Sequence, residues 1–233
     1  MKIAIMQPYF LPYIGYFQLI YAVDKFVFYD DVNYIKSGWI NRNRIIINNQ
    51  PQYISLTLQK ASSFKKINQI TIDQQKSNKL LKTIELNYKK APYFHMVFPM
   101  IEELFGFLII NNNLAQVAGE SVQRVCNYLN WNKTFEYSSH SYADTQGQER
   151  AQRLISIAKK NKADTYINPI GGKTLYKKED FTQHDINLWF INGQITPYVQ
   201  FQHEFIPGLS IVDVLMFNSI SEVHKMLTQF ELV

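Results

Sequence analysis

The sequence predicts an α/β fold with a mainly parallel, Rossmann-like sheet and a helical subdomain or insert at about residues 76–130. Three observations carry this. Short β-branched and aromatic runs alternate with helix-period segments at both ends of the chain; the stretch between them is helical throughout; and no fixed-period repeat or low-complexity linker divides the 233 residues. One α/β core spanning residues 1–233 is therefore expected.

The elements follow in order. Lys2 to Met6 (KIAIM) is an apolar run ended by Gln7-Pro8 and reads as a buried strand, and Tyr13 to Val23 places apolar groups at helical spacing. Lys25 to Tyr29 (KFVFY) is a second strand, so the first thirty residues form a β-α-β unit with a parallel pair. Arg44 to Ile47 and Tyr53 to Leu58, separated by Asn48-Asn49-Gln50-Pro51, resemble a hairpin, and Ile67 to Ile72 offers a further strand. Helices are expected over Asn78–Lys89, Phe94–Phe107 and Leu114–Leu129, the last with an N-cap from Asn111-Asn112-Asn113. Thr134 to Tyr137 is strand-like, Ser138 to Gln146 a polar loop, and Gln148 to Lys160 an amphipathic helix. Thr165–Asn168 and Asn187–Ile191 read as strands, Ile211–Met216 and Ser219–Leu227 as helices.

Composition bounds the function. Hydrophobic residues make up 46% and charged residues 18%, which excludes a disordered chain. No apolar run approaches the roughly 20 residues of a membrane span, and the start MKIAIMQPYFLPY lacks a signal-peptide pattern, so a cytoplasmic protein without a membrane span is expected. The single cysteine, Cys126, excludes an internal disulfide and a cysteine-based zinc site. The charge of +5 comes from 24 basic against 19 acidic residues, but only Arg42, Arg44, Arg124, Arg150 and Arg153 are arginine, and the lysines are scattered pairs. Dispersed pairs read as solvated faces, so no nucleic-acid partner is expected. The aromatic content is less ordinary: of 16 Phe, 15 Tyr and 3 Trp, eleven lie between Tyr9 and Trp39.

Ligands of open parallel sheets bind beyond the carboxyl ends of the strands, and three segments fall there. In Gln7 to Gly15 (QPYFLPYIG) two prolines stiffen the loop, Gly15 permits close backbone approach, and Gln7, Tyr9, Tyr13 and the following Tyr16 offer polar tips on apolar bodies. The second segment, Tyr29 to Arg44, gathers Asp30, Asp31, Tyr34, Lys36, Trp39, Asn41, Arg42, Asn43 and Arg44. A carboxylate pair at a strand end can hold a metal, accept a proton or orient an amine, and arginine suits phosphate or carboxylate. The bland alternative is a polar loop with local ion pairs. In the third, Ile167 to Tyr176, Gly171-Gly172 can present amides to an anion with Tyr176 beside it, or form a plain tight turn. Of the five histidines only His203, beside Glu204, is a candidate base; none has metal-type spacing, and no metal site is expected.

The segments MQPYFLPYIGYFQLIYAVDKFVFYDDVNYIKSGWINRNRI, NPIGGKTLY and LSIVDVLMFN resemble the WbqC-like family over essentially the whole chain. That resemblance implies a cytoplasmic enzyme of O-antigen or other surface polysaccharide biosynthesis, transferring glycine or another aminoacyl or acyl group onto an activated amino sugar. On the residues, Asp30 or Asp31 is expected to orient or deprotonate the amine and Asn41, Asn43 or backbone amides to face the oxyanion. Arg42 with Lys36 is expected to hold phosphate, while Tyr13, Tyr34 and Trp39 stack on sugar or base. A second likeness is to nucleotidyltransferases and pantoate-type amide ligases. Their HxGH pattern corresponds here to Tyr13-Ile14-Gly15-Tyr16, which admits an ATP·Mg-dependent ligase; a non-catalytic nucleotide-sugar binder is the third possibility. The donor, an acyl or aminoacyl carrier or ATP·Mg, is left open.

Overall fold

Side chains alternate across a strand, and the first strand shows both faces of the sheet at once: Ile3 and Ile5 enter one buried cluster and Ala4 the other. The structure is a computed structural model and describes residues 1–201 and 204–233. Its strands are β1 (Lys2–Met6), β2 (Lys25–Phe28), β3 (Arg42–Ile47), β4 (Gln50–Ser55), β5 (Leu58–Gln59), β6 (Thr71–Ile72), β7 (Thr134–Tyr137), β8 (Thr165–Pro169), β9 (Asn187–Gly193) and β10 (Phe230–Leu232).

Six of these form the central sheet in the order β7-β2-β1-β8-β9-β10. All neighbours are parallel except the edge strand β10, which runs antiparallel to β9. Counting only sheet strands along the chain, the order is that of the doubly wound fold. The chain leaves β1 in one direction toward β2 and β7, then returns to β8 on the other side, so the topological switch lies between β1 and β8. This is the mainly parallel, Rossmann-like α/β architecture expected from the sequence.

Phe26 and Phe28 face the larger cluster, which also takes the helix Ile14–Ala22, the helices Lys79–Tyr88, Phe94–Ile110 and Leu114–Tyr128 of the insert, and the C-terminal helices Ile211–Phe217 and Ile220–Leu227. Val27, Tyr166, Leu188 and Phe190 face the other side, covered by the helices Arg150–Lys160 and Lys178–Thr182. Glu149 caps Arg150–Lys160 by accepting from the Ala151 and Gln152 amides, and Asn113 caps Leu114–Tyr128 through the Gln116 amide.

Four local expectations change. The hairpin turn is the two residues Asn48-Asn49, with φ of 50° and 63°, the left-handed pair a tight type I′ turn requires. Pro51 therefore lies within β4 opposite Ile46, tolerated because β3 and β4 form a separate two-stranded sheet. Ile67–Ile72 divides into a 3₁₀ turn, Ile67–Gln69, and the short β6, while Ser138–Gln146 holds a helical turn, Ser138–Ser141, and a 3₁₀ turn, Ala143–Thr145. The three-residue β10 escaped the sequence reading.

Gln18, buried on the first helix, ties the carboxyl end to the core: its Nε2 lies 2.9 Å from the carbonyls of Gln194, Met226 and Gln229. An amide has two hydrogens, so the three carbonyls share them. A Cβ on Gly193 would stand 2.1 Å from Gln18 Oε1. Gly193→Ala must displace this staple and is expected to cost about 1–2 kcal/mol, read from urea unfolding; an unchanged midpoint would show the staple to be dispensable.

Candidate functional site

The carboxyl edge of the sheet brings together groups far apart in sequence. The Tyr29 amide donates to Met6 O at 2.8 Å, which carries β2 one residue further beside β1 before Asp30 and Asp31 turn away. At the end of neighbouring β7 stand Ser138 and Ser139. Asp30 and Asp31 are buried, 3% and 4% exposed, so their lone pairs must be met by protein. Ser139 donates to Asp30 through its amide (2.9 Å) and its hydroxyl (2.6 Å). Ser138 Oγ accepts from the Asp30 amide and lies within hydrogen-bond distance of both carboxyls. Arg153 Nη2 donates to Asp31 Oδ2 at 2.6 Å, and its Nε donates to Thr145 Oγ1 at 3.1 Å. Burial alone would favour the neutral acid at Asp31, but the hydrogen bonds from Arg153 and Ser138 and the guanidinium charge outweigh it and hold the carboxyl below its ordinary value. The two carboxylates thus differ: Asp31 is one half of a buried ion pair, and Asp30 meets the surface through half-buried Ser139.

On the same edge the Arg153 guanidinium lies 4.8 Å over the Tyr29 ring. Across β1, Asn168 Nδ2 donates to the Tyr166 hydroxyl at 2.6 Å. Asn168 also explains one glycine of the Gly171-Gly172 pair, because a Cβ on Gly172 would stand 2.1 Å from Asn168 Oδ1; Gly171 is open. Tyr176 packs edge-on against Phe181, which stacks on Tyr166.

The N-terminal loop lies against the larger cluster. Tyr16 is buried and donates to Gln7 O at 2.8 Å, Tyr9 packs against it, and Tyr13 is half-exposed with its ring over Gly15, where a Cβ would stand 2.4 Å from Tyr13 Cε2. Asn43 Nδ2 and Ser210 Oγ both donate to Leu11 O, at 2.8 and 2.7 Å, pinning the loop.

The hairpin group is engaged largely with itself. Tyr34 donates to Asn41 Oδ1 and Asn41 Nδ2 to Leu56 O. Arg42 donates to Ser37 O and Gly38 O and lies 4.3 Å over the Tyr53 ring; Arg44 Nη2 reaches Pro207 O and Gly208 O. Trp39 stands beside Tyr53 with 40% of its surface exposed, and Lys36 is exposed. His203 lies outside the described residues. The sheet edge therefore gathers Gln7, Asp30, Asp31, Gly171, Gly172 and Tyr176, whereas Asn41, Asn43, Arg42 and Arg44 spend donors on backbone carbonyls. Sequence reasoning missed Ser138, Ser139, Arg153, Tyr29 and Asn168; an arginine inside the apolar face of a helix was the one available signal.

Among the described residues no group of three or more His, Cys, Asp or Glu is placed to hold a metal, and no helix is long and apolar enough to cross a membrane. Two open hollows, of about 270 and 350 Å³, lie on the helical insert near Met100 and Arg124 and between the hairpin turn and Lys89-Lys90. Neither touches the strand ends.

An uncharacterized protein of Mycobacterium tuberculosis (strain ATCC 25618 / H37Rv), Rv1507c, is 29% identical over 220 residues, 93% of each chain. No solved structure matches. The profile of the WbqC-like protein family matches residues 7–225, and the chain belongs to that family.

Proposed function

We propose that the chain transfers an aminoacyl or acyl group, glycine among them, to the amine of a nucleotide-linked amino sugar during assembly of O-antigen or a related surface polysaccharide. The observation that supports this is the Asp30–Ser139 pair at the carboxyl edge of a doubly wound sheet, between the ends of β2 and β7 and one strand away from the β1–β8 switch where such sheets take nucleotides. The attacking ammonium must lose a proton, and Asp30 receives it by way of the Ser139 hydroxyl at 2.6 Å; the amine then forms the amide as the acyl–carrier bond breaks, and the carrier leaves with the second amine proton. Asp31, kept ionised by Arg153, holds Ser138 and so the geometry of the pair.

The test is mass spectrometry of nucleotide amino sugars incubated with acyl and aminoacyl donors. The expected result is an amide product, with kcat lowered about 100-fold by Asp30→Asn. No product from any pair, or full turnover by the variant, would sink the reading. One observation favours a second route: Tyr13-Ile14-Gly15-Tyr16 opens the helix that follows β1, the place of the HxGH pattern. An ATP·Mg-dependent ligase binds ATP measurably by titration and releases pyrophosphate with the product. A nucleotide-sugar binder shows binding and no product.

A further inference from the structure

We propose that Arg150, with the phenols of Tyr29 and Tyr176, forms an anion subsite in the crevice over the carboxyl end of β1, between the ends of β2 and β8, and takes the diphosphate of the nucleotide-linked substrate, an assignment that rests on the function proposed above.

The crevice has definite walls. Tyr29 continues β2 and Asn168 belongs to β8, on opposite sides of β1. Strands lie about 4.8 Å apart, so the backbones of these walls stand roughly 10 Å from each other, with Gln7 at the end of β1 between them. One wall is the Tyr29 ring under Arg153; the other is Asn168, Gly172 and Tyr176, the last two close enough that a Cβ on Gly172 would stand 3.6 Å from Tyr176 Cδ2. Both tyrosines pack on the sheet face covered by the helix Arg150–Lys160.

Arg150 and Arg153 are three residues apart and share a helix face, yet their circumstances differ. Arg153 is buried and neutralised by Asp31. Arg150 is exposed, with no hydrogen-bond or ion-pair partner among the described residues. Arg153 lies 4.8 Å over the Tyr29 ring, so Arg150, one turn earlier on the same helix face, stands on the side that covers both tyrosines. Burial raises the hydroxyl pKa of both phenols; at Tyr29 Arg153 opposes this, the Asp31 carboxylate adds to it, and Arg150 opposes it at both. Two acids face the phenols: Glu149, whose Oε2 accepts from the Ala151 and Gln152 amides, at Tyr176, and Asp31, which is paired with Arg153, at Tyr29. The segment from Gly171 to Lys178 adds Lys173, Lys177 and Lys178 and no acid. A guanidinium without a carboxylate of its own, beside two phenol donors, suits a phosphate-type anion.

The test is calorimetric titration of the full chain with inorganic pyrophosphate. The wild type is expected to bind. Arg150→Ala weakens binding about 10- to 100-fold, and Arg150→Lys less, because it keeps the charge and loses the fork. Unfolding curves of Arg150→Ala should match the wild type, since the side chain is exposed. Equal binding by Arg150→Ala, or no binding by the wild type at millimolar pyrophosphate, overturns the subsite. The two proposals separate cleanly. Amide product with an unchanged KM for the nucleotide sugar in Arg150→Ala removes the subsite and keeps the function; weakened pyrophosphate binding with no product from any donor keeps the subsite and removes the function.

Discussion

Replacing Arg153 with alanine is expected to destabilise the fold by about 3–5 kcal/mol, because it leaves Asp31 as a buried charge with its principal partner gone. The side chains are 6% and 0% exposed and meet at 2.6 Å, so neither ion can recover water in place. The same substitution removes the guanidinium from the Tyr29 ring and orphans Thr145 Oγ1 as an acceptor. A double-mutant cycle isolates the pair: Asp31→Asn with Arg153→Ala should lose less than the sum of the single variants, since no uncompensated charge remains. The pH dependence has a fixed sign. Asp31 has a depressed folded-state pKa, so its contribution is present above the unfolded carboxylate value of about 3.9 and is lost as pH falls through the lower folded value. Urea midpoints of the wild type should therefore drop in acid, and those of Asp31→Asn should drop less. Additive single variants would show the bridge to be unimportant.

How the sequence conceals such a pair is instructive. Periodicity is a local signal, and it located β1, β2, β7, β8, β9 and the long helices because each buries a face its own residues define. The Asp31 partners come from 107 and 122 positions away, on the helical turn after β7 and on the helix Arg150–Lys160. No local pattern encodes that meeting; only the strand order does, by placing β7 beside β2. The hairpin region illustrates the opposite case. Asn41, Asn43 and Arg42 carry the same donors whether they serve a ligand or a loop, and composition cannot distinguish a carbonyl of a substrate from the carbonyls of Leu56, Leu11 and Gly38 that receive them here. The aromatic crowding between Tyr9 and Trp39 likewise serves two ends. Tyr16, Phe26 and Phe28 are core, while Tyr13 and Trp39 keep substantial exposed surface.

The LSIVDVLMFN segment holds a second buried acid, and it leads to the opposite pH behaviour. Asp213 is 0% exposed on the helix Ile211–Phe217. Its Oδ2 accepts from the Tyr88 hydroxyl at 2.7 Å, and its Oδ1 from Tyr198 at 2.6 Å and Gln200 Nε2 at 2.8 Å. Tyr88 in turn accepts from the Ile46 amide, and Gln200 Oε1 from the Ile206 amide, so one carboxyl joins the hairpin, the insert and the segment before the C-terminal helices. Among the described residues no lysine or arginine bridges it. Burial raises the Asp213 pKa, and the three hydrogen bonds offset this only in part. A raised folded-state pKa means that the folded chain holds the proton more tightly than the unfolded chain. The contribution is therefore complete below about pH 3.9 and is lost as pH rises through the folded value. Asp213→Ala abandons three buried donors and is expected to cost about 2–4 kcal/mol, seen as a lower urea midpoint. Asp213→Asn keeps an acceptor and carries no charge, so it should remove this acid-side advantage and flatten the stability profile above about pH 4. Because Asp31 and Asp213 pull in opposite directions as the solution is acidified, Asp31→Asn and Asp213→Asn should tilt that profile with opposite signs. A profile unchanged by Asp213→Asn would mean that the three donors cancel the cost of burial.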